Sequence, residues 1–448
     1  MRRALIVSPR FPPTSAPELH RIRVSLAHYR HFGWEPTVLC VDSATADGVH
    51  EPSLVDSIPK TISIVRVNAW RENKCRIFGF GHLAIRGLIP LYRAGKKLLS
   101  QEHYDLVFFS TTLFLTFILA PFWKSKYGCH IVYDFQDPWY TEKVPYSRDT
   151  APGRWWKYRL DRFLSRFIEY FAMRAADHVI SVSDGYVATL TRRYHWLSLS
   201  KLTVLPFGGA ESDYDLVRSR KIEPKLFRPG DGLIHWVYAG RGGPDMAPII
   251  SVLFTALASL RQVDPEFAAL LRIHFVGTNY APQERTYKLI EPLARAHGLE
   301  GLVEEISERV PYLEAISLYE ASDAILLIGS TDPDYTASKL IPCVLSKKPI
   351  LALFHGHGLI SRTAIQFPSV FLATFGETPE EPAFHAAVVK GLEWLRAPKF
   401  DLTAMDALLA PWSAKELTRR QCMVFDSAVG SAARPCNPSL DVAEETFP

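Results

Sequence analysis

The chain has 448 residues, 48% of them apolar and 22% charged, with a formal net charge of +4. That length is more than one hydrophobic core organises and suits two domains, and so small a charge gives no footing for nucleic acid as a partner. Its six cysteines, Cys40, Cys75, Cys129, Cys343, Cys422 and Cys436, show no CxxC spacing, so neither a zinc site nor a disulfide framework is indicated and a reducing, cytoplasmic setting fits.

The basic start Met1-Arg2-Arg3 leads into an apolar stretch that ends at Pro9, too short for a signal peptide, so no export is expected. Residues 4–8 read as a buried strand. Leu19, Ile22, Leu26 and Tyr29 recur at three to four residues and predict a helix over 18–32, ended by Gly33, before a second strand at 36–42. Strand, helix, strand is the unit of a parallel sheet, and the rhythm continues through 61–67, 104–110, 130–137 and 177–184. The run 106–123 approaches the length of a membrane span, but Ser110, Thr111, Thr112, Thr116 and Pro121 interrupt it. It reads as a strand followed by a buried helix.

After a strand and glycine pair at 201–209, residues 211–232 are polar and broken by Pro224 and Pro229, which reads as a linker. A second series follows: strands at 233–240, 271–277, 302–307, 323–329 and 349–354, with helices at 247–262, 282–297 and 313–320 between them. A last periodic segment, 413–425, predicts a helix, and beyond it the composition turns to Ser, Ala, Pro and acidic residues. The organisation expected is a doubly wound domain over 1–207, a second over 208–412, a helix over 413–428 packing back between them, and a disordered tail over 429–448.

The motifs sit at strand ends. Residues 336–351 read TASKLIPCVLSKKPIL, where Ser338-Lys339 opens a helix; backbone amides, the positive end of the helix and an ammonium suit a diphosphate. Tyr238-Ala239-Gly240-Arg241-Gly242-Gly243 adds glycines that let backbone approach phosphates and a guanidinium that bridges two phosphate oxygens. Together these resemble the donor-binding loops of retaining GT-B glycosyltransferases of the family-4-like group. The resemblance implies an α/β fold of two Rossmann-like domains facing each other across a cleft. It also implies transfer of a sugar, with retention, from a nucleotide-sugar to a glycan or lipid-linked acceptor, as in polysaccharide biosynthesis.

Carried onto this sequence, the resemblance implies donor contacts from Gly240, Arg241, Gly242, Gly277, Val310, Thr336, Ser338, Lys339 and Leu340, with Arg241 and Lys339 stabilising the departing diphosphate. Three positions depart from the family pattern: Pro342 replaces a carboxylate for the donor ribose, Met246 a lysine, and Phe207 an asparagine. They motivate an alternative, a catalytically weak or inactive GT-B protein that binds a nucleotide-sugar or a partner enzyme. Asp332-Pro333-Asp334 imitates a metal-binding DxD motif but reads as a turn, and no metal or cofactor is expected.

In the first half, Tyr133-Asp134-Phe135-Gln136-Asp137-Pro138-Trp139 resembles a signature of polysaccharide transferases of this group. A carboxylate at a strand's C-terminal end orients or deprotonates an acceptor hydroxyl, with Asp137 the first candidate and Asp134 the second. Ser15, Arg21 and Trp139 complete the expected acceptor site. Ser183 or Asp184 reads as a helix cap. The basic, aromatic stretches 84–98 and 154–174 admit two accounts: peripheral contact with an anionic lipid surface at the inner face of the membrane, or aromatic packing on the sheet with the arginines solvated.

Overall fold

The computed structural model describes residues 1–72, 75, 81–140, 155–279, 288–332 and 338–430. It divides into two compact units, Met1–Leu205 with Ala414–Pro448, and Pro206–Ser413.

The first unit is a seven-stranded sheet of β1 (Arg2–Val7), β2 (Trp34–Val41), β3 (Ser63–Val67), β4 (Leu106–Ser110), β5 (His130–Phe135), β6 (His178–Ser181) and β7 (Leu202–Val204), ordered β3-β2-β1-β4-β5-β6-β7. Every pairing is parallel. Continuous apolar strands make this sheet because both faces are covered. Leu5, Val7, Leu39 and Phe109 enter one core, while Ala4, Ile6, Val38 and Phe108 enter the other. On the first face the helices Leu88–Gln101 and Leu119–Tyr127 approach closely, because Gly95 leaves room for the Trp123 ring where any Cβ would collide with it.

On the other face lies the helix Ala414–Ala428, which therefore belongs to the first unit. Its Phe425 packs on Phe108, Trp34 and Tyr29, with ring centroids 5.0, 5.3 and 6.0 Å away. Asp426 accepts from Trp34 Nε1 at 3.1 Å and pairs with Arg2 at 2.6 Å. The helix expected over 18–32 is broken into a 3-10 turn, Pro17–Leu19, a helix, His20–Ser25, and a second 3-10 turn, Tyr29–Phe32. The stripe Leu19, Ile22, Leu26 and Tyr29 is buried as its spacing implies. Gly33, at φ +83°, ends the segment in a conformation that suits glycine. Residues 106–123 split into β4, a 3-10 turn at Phe114–Ile118 and the start of Leu119–Tyr127. Among the described residues no helix is long and apolar enough to cross a membrane.

The second unit is a six-stranded parallel sheet of β8 (Ile234–Ala239), β9 (Leu271–Val276), β10 (Val303–Ile306), β11 (Ala324–Ile328), β12 (Ile350–His355) and β13 (Val370–Phe375), ordered β10-β9-β8-β11-β12-β13. Its strand order reproduces that of the first unit, and in both the order reverses beside the first strand, where open α/β sheets bind ligands. The strand β13 and the helix Pro382–Arg396 extend the unit beyond the elements read from sequence.

The stretch expected as a linker begins instead with a helix, Glu211–Ser219. Its polar composition hides two buried side chains three residues apart, Tyr214 and Val217, enough to seat one face. Asp213, also buried, accepts from the Tyr312 hydroxyl at 2.9 Å. Of the helix expected over 282–297, Ile290–Ala296 is formed, and 280–287 lie outside the described residues. So do 431–448, which hold most of the expected tail.

Candidate functional site

In the second unit the loop after β8 is laid across the end of β9: the Gly240 amide donates to the Val276 carbonyl at 2.9 Å and the Gly242 amide to the Thr278 carbonyl at 2.7 Å. Tyr238 Oη donates to the Arg241 carbonyl at 2.7 Å and fixes the turn. The Arg241 guanidinium then grips Asp245 in a two-pronged ion pair, at 2.7 and 2.5 Å, and Ser330 Oγ, just past β11, donates to the same carboxylate at 2.6 Å. Arg241, Asp245 and Ser330 thus bridge the switch point between β8 and β11. Burial works against the charge on Asp245, but the hydrogen bonds from Arg241 and Ser330 outweigh it and hold the carboxyl below its usual range. A Cβ on Gly243 would meet the tips of both side chains of this pair. Asp245, four residues after Arg241, is a partner that the motif reading missed, though the spacing was there to find.

Lys339 reaches the same place from the start of the helix Leu340–Leu345, its Nζ donating to the Ala239 carbonyl at the end of β8. Burial lowers its pKa to about 8, with repulsion from Arg309 and Arg241 pushing the same way and Cys343 pulling against them. The Cys343 thiol is itself driven up by burial to about 12, so it is neutral and supplies no counter-charge. No carboxylate among the described residues pairs with Lys339. The structure therefore brings Arg241 and Lys339 together with Arg309 as a third cation.

Gly277, at φ +71°, turns the chain after β9 beside Arg309, its amide donating to the Ile306 carbonyl at 2.8 Å. Val310 is half-buried next along the chain. The nearby Ser307 hydroxyl is enclosed without a hydrogen-bond partner. Ser338 is exposed and Leu340 is buried in the core, while Thr336 lies outside the described residues, as do Pro333 and Asp334 of the DxD-like turn.

The three departures from the family pattern are packing residues. Pro342 is the third residue of its helix, where a backbone N–H would have no intrahelical acceptor, so its ring costs no hydrogen bond. Its carbonyl accepts from Tyr214 Oη at 2.6 Å. Met246 is fully buried at the head of the helix Ala247–Val263, and Phe207 lines an apolar hollow with Leu340, Ile341 and Trp412.

The first unit arranges its candidates differently. Asp134, fully enclosed at the end of β5, accepts from Ser110 Oγ at 2.7 Å and Gln136 Nε2 at 2.8 Å and faces Arg21 Nε at 3.0 Å. Arg21, itself buried, also donates to the Leu205 carbonyl at 2.7 Å. These two expected site residues are spent on each other and hold the strand ends together. Ser15 is buried in a two-residue ladder with Val49. Trp139 is stacked on Phe114 at 5.7 Å and edge-on to Phe117 at 5.8 Å, whereas Asp137 is exposed. Ser183 caps the helix Asp184–Arg193 by accepting from the Gly185 amide at 3.2 Å, the capping role read from sequence. Among the described residues no group of three His, Cys, Asp or Glu side chains is placed to hold a metal.

Residues 20–208 match the glycosyl transferase 4-like domain family. The chain has the GT-B fold. Solved structures similar to this GT-B protein include Anabaena Alr3699/HepE in complex with UDP and glucose, at 15% identity and a TM-score of 0.59, over 95% of this chain and 100% of that one. A glycosyltransferase from Rickettsia africae is similar at 14% identity and a TM-score of 0.57, over 96% and 99%. A UDP-N-acetylglucosamine 2-epimerase, so described only putatively, from Listeria monocytogenes matches at 11% identity and a TM-score of 0.51, over 95% and 96%. Such identities establish the fold, and the range of chemistries shows that the fold alone does not select the reaction. No curated protein sequence is significantly similar to the chain.

Proposed function

We propose that this GT-B protein is a metal-independent glycosyltransferase that moves a sugar, with retention, from a nucleotide-sugar to a glycan or lipid-linked acceptor in cytoplasmic polysaccharide assembly. The observation that carries the reading is Lys339, an ammonium held half-buried at the switch point of the second unit, crowded by two arginines and lacking a carboxylate. An anion supplied from outside completes that arrangement, and a diphosphate is the anion the glycine loop fits. In the reaction Lys339 and Arg241 stabilise the charge that gathers on the leaving diphosphate, catalysis of the electrostatic kind. Asp137, exposed at the end of β5, is the group we assign to the acceptor hydroxyl. The UDP and glucose bound in the Anabaena structure support a nucleotide-sugar as the class of donor.

A second reading, a GT-B protein that binds a nucleotide-sugar with little or no turnover, is favoured by Pro342 and Met246, buried in the core, and Phe207, half-buried on an apolar hollow, which replace three polar positions of the pattern. Thermal-shift measurements against a panel of nucleoside diphosphates and nucleotide-sugars test both, since a ligand of the native state raises its melting temperature. Stabilisation that Lys339→Ala abolishes supports the site, and no stabilisation by any member sinks it. Release of sugar or its transfer from the stabilising nucleotide-sugar then separates enzyme from binder.

A further inference from the structure

The helix Trp155–Met173 carries large apolar side chains on the side that an ordinary surface helix keeps polar. Its inner side carries Glu169, Ala172 and Met173, all buried. Glu169 pairs with Arg193 and accepts from Tyr194 Oη at 2.6 Å, so the carboxylate serves as an anchor. Its outer side carries Phe163, Leu164, Phe167, Tyr170 and Phe171, which are 58%, 46%, 57%, 46% and 45% exposed. The account in which these aromatics pack on the sheet is therefore overturned for Phe163, Phe167, Tyr170 and Phe171. The outward register 159-163-166-167-170-171-174 holds three arginines, Arg159, Arg166 and Arg174, all exposed, and no acidic residue.

The face continues across neighbouring helices. Phe122 of Leu119–Tyr127, 52% exposed, meets Phe171 with ring centroids 6.0 Å apart, and Tyr92 of Leu88–Gln101 meets Phe122 at 6.4 Å. These two helices contain no acidic residue and add exposed Arg93, Lys96, Lys97 and Lys126. At the other end the Arg174 guanidinium lies 5.9 Å from the centre of the Trp196 ring, which is 44% exposed.

We propose that this face docks the protein on an anionic membrane surface, the aromatic side chains entering the headgroup boundary and the arginines and lysines meeting lipid phosphates. Clustered exposed aromatics are costly in water and mark a surface that is covered in use. Rings set among cations are what an interfacial helix presents to lipid. A second copy of the chain would oppose arginine with arginine, which charge disfavours. The proposal does not depend on the nucleotide reading.

The test is co-sedimentation of the full chain with vesicles of phosphatidylcholine alone and of phosphatidylcholine mixed with phosphatidylglycerol, at low and high salt. The expected result is pelleting with the anionic vesicles only, weakened by salt. Phe163→Ser with Phe167→Ser, at exposed positions that leave the core intact, should cut partitioning about tenfold or more. Each of Arg159→Gln, Arg166→Gln and Arg174→Gln should cut it about fivefold and flatten the salt response. Circular dichroism and melting confirm folding, and nucleotide-induced thermal shifts should be the same in all variants, so that failure here leaves the donor site standing. Absence of pelleting at low salt overturns the proposal, as does pelleting that the Phe163→Ser, Phe167→Ser variant retains in full. A concentration-dependent dimer that this variant abolishes, without vesicle binding, assigns the face to a second copy and overturns it equally.

Discussion

At the end of β5 a carboxylate and a guanidinium are shut away together, Asp134 with Arg21, both buried and surrounded by Ser110, Gln136 and a backbone carbonyl. At the end of β8 Asp245 answers Arg241, but Lys339 has a carbonyl as its partner and is repelled by two arginines. The two sheets share a strand order, so topology does not make this difference. Side chains do. A cluster whose charges are internally matched is a structural knot, and one in which an ammonium has no carboxylate, beside a glycine loop, is where we place the ligand.

The largest effect that would break this contrast is in the first unit. Asp134→Ala leaves the Arg21 guanidinium buried without its carboxylate, and urea unfolding should show a loss of about 3–5 kcal/mol. The nucleotide-induced thermal shift should survive; a near-neutral Asp134→Ala would mean that the knot is not structural.

In the second unit the opposite holds. Lys339→Ala should weaken nucleoside-diphosphate binding by about 1.5–3 kcal/mol in calorimetry, the worth of a hydrogen bond to a charged group. The melting temperature of the unliganded protein should not fall, because a poorly solvated ammonium is removed. A variant that unfolds instead would make Lys339 structural and erase the distinction.

Acidity sharpens the comparison further. The binding form of Lys339 is the ammonium, whose pKa in the free protein is lowered by burial to about 8. Below that value it is charged and affinity is flat in pH; above it, binding must first take up a proton, so the affinity should fall by up to about tenfold per pH unit. Titrations across this range that show no decline, or a rise, contradict the role given to Lys339. The smallest of these effects concerns Asp245, which competes with any phosphate for Arg241. Asp245→Asn should tighten diphosphate binding by about threefold to fivefold, the scale of a partly exposed ion pair, and weaker binding would show that Asp245 positions Arg241 rather than occupying it.

Much of the fold is legible in the sequence because parallel strands are buried on both faces and stand out as apolar runs such as Leu106–Ser110 and Ala324–Ile328. Glycine loops at strand ends likewise announce the switch point. Less legible are elements held by only one or two side chains, such as the helix Glu211–Ser219, whose charges mask Tyr214 and Val217. Which acidic or basic residue is free and which is paired was hardest of all to read, since pairing is a matter of distance. Arg21 and Asp134 are 113 positions apart in the chain, and nothing local says they meet. The aromatic helix at 155–173 shows the same limit from the other side: its periodicity gives the stripe but not which way the stripe points.

Pro342 has a consequence for selectivity. With its ring enclosed and its carbonyl committed to Tyr214, this position has nothing to offer the hydroxyls of a donor's ribose, where the family resemblance implies a carboxylate. At the proposed donor site this position does not distinguish a ribose from its 2′-deoxy form. The 2′-deoxy form of whichever nucleoside diphosphate it accepts should compete on equal terms with the ribo form, which a simple competition titration reads directly.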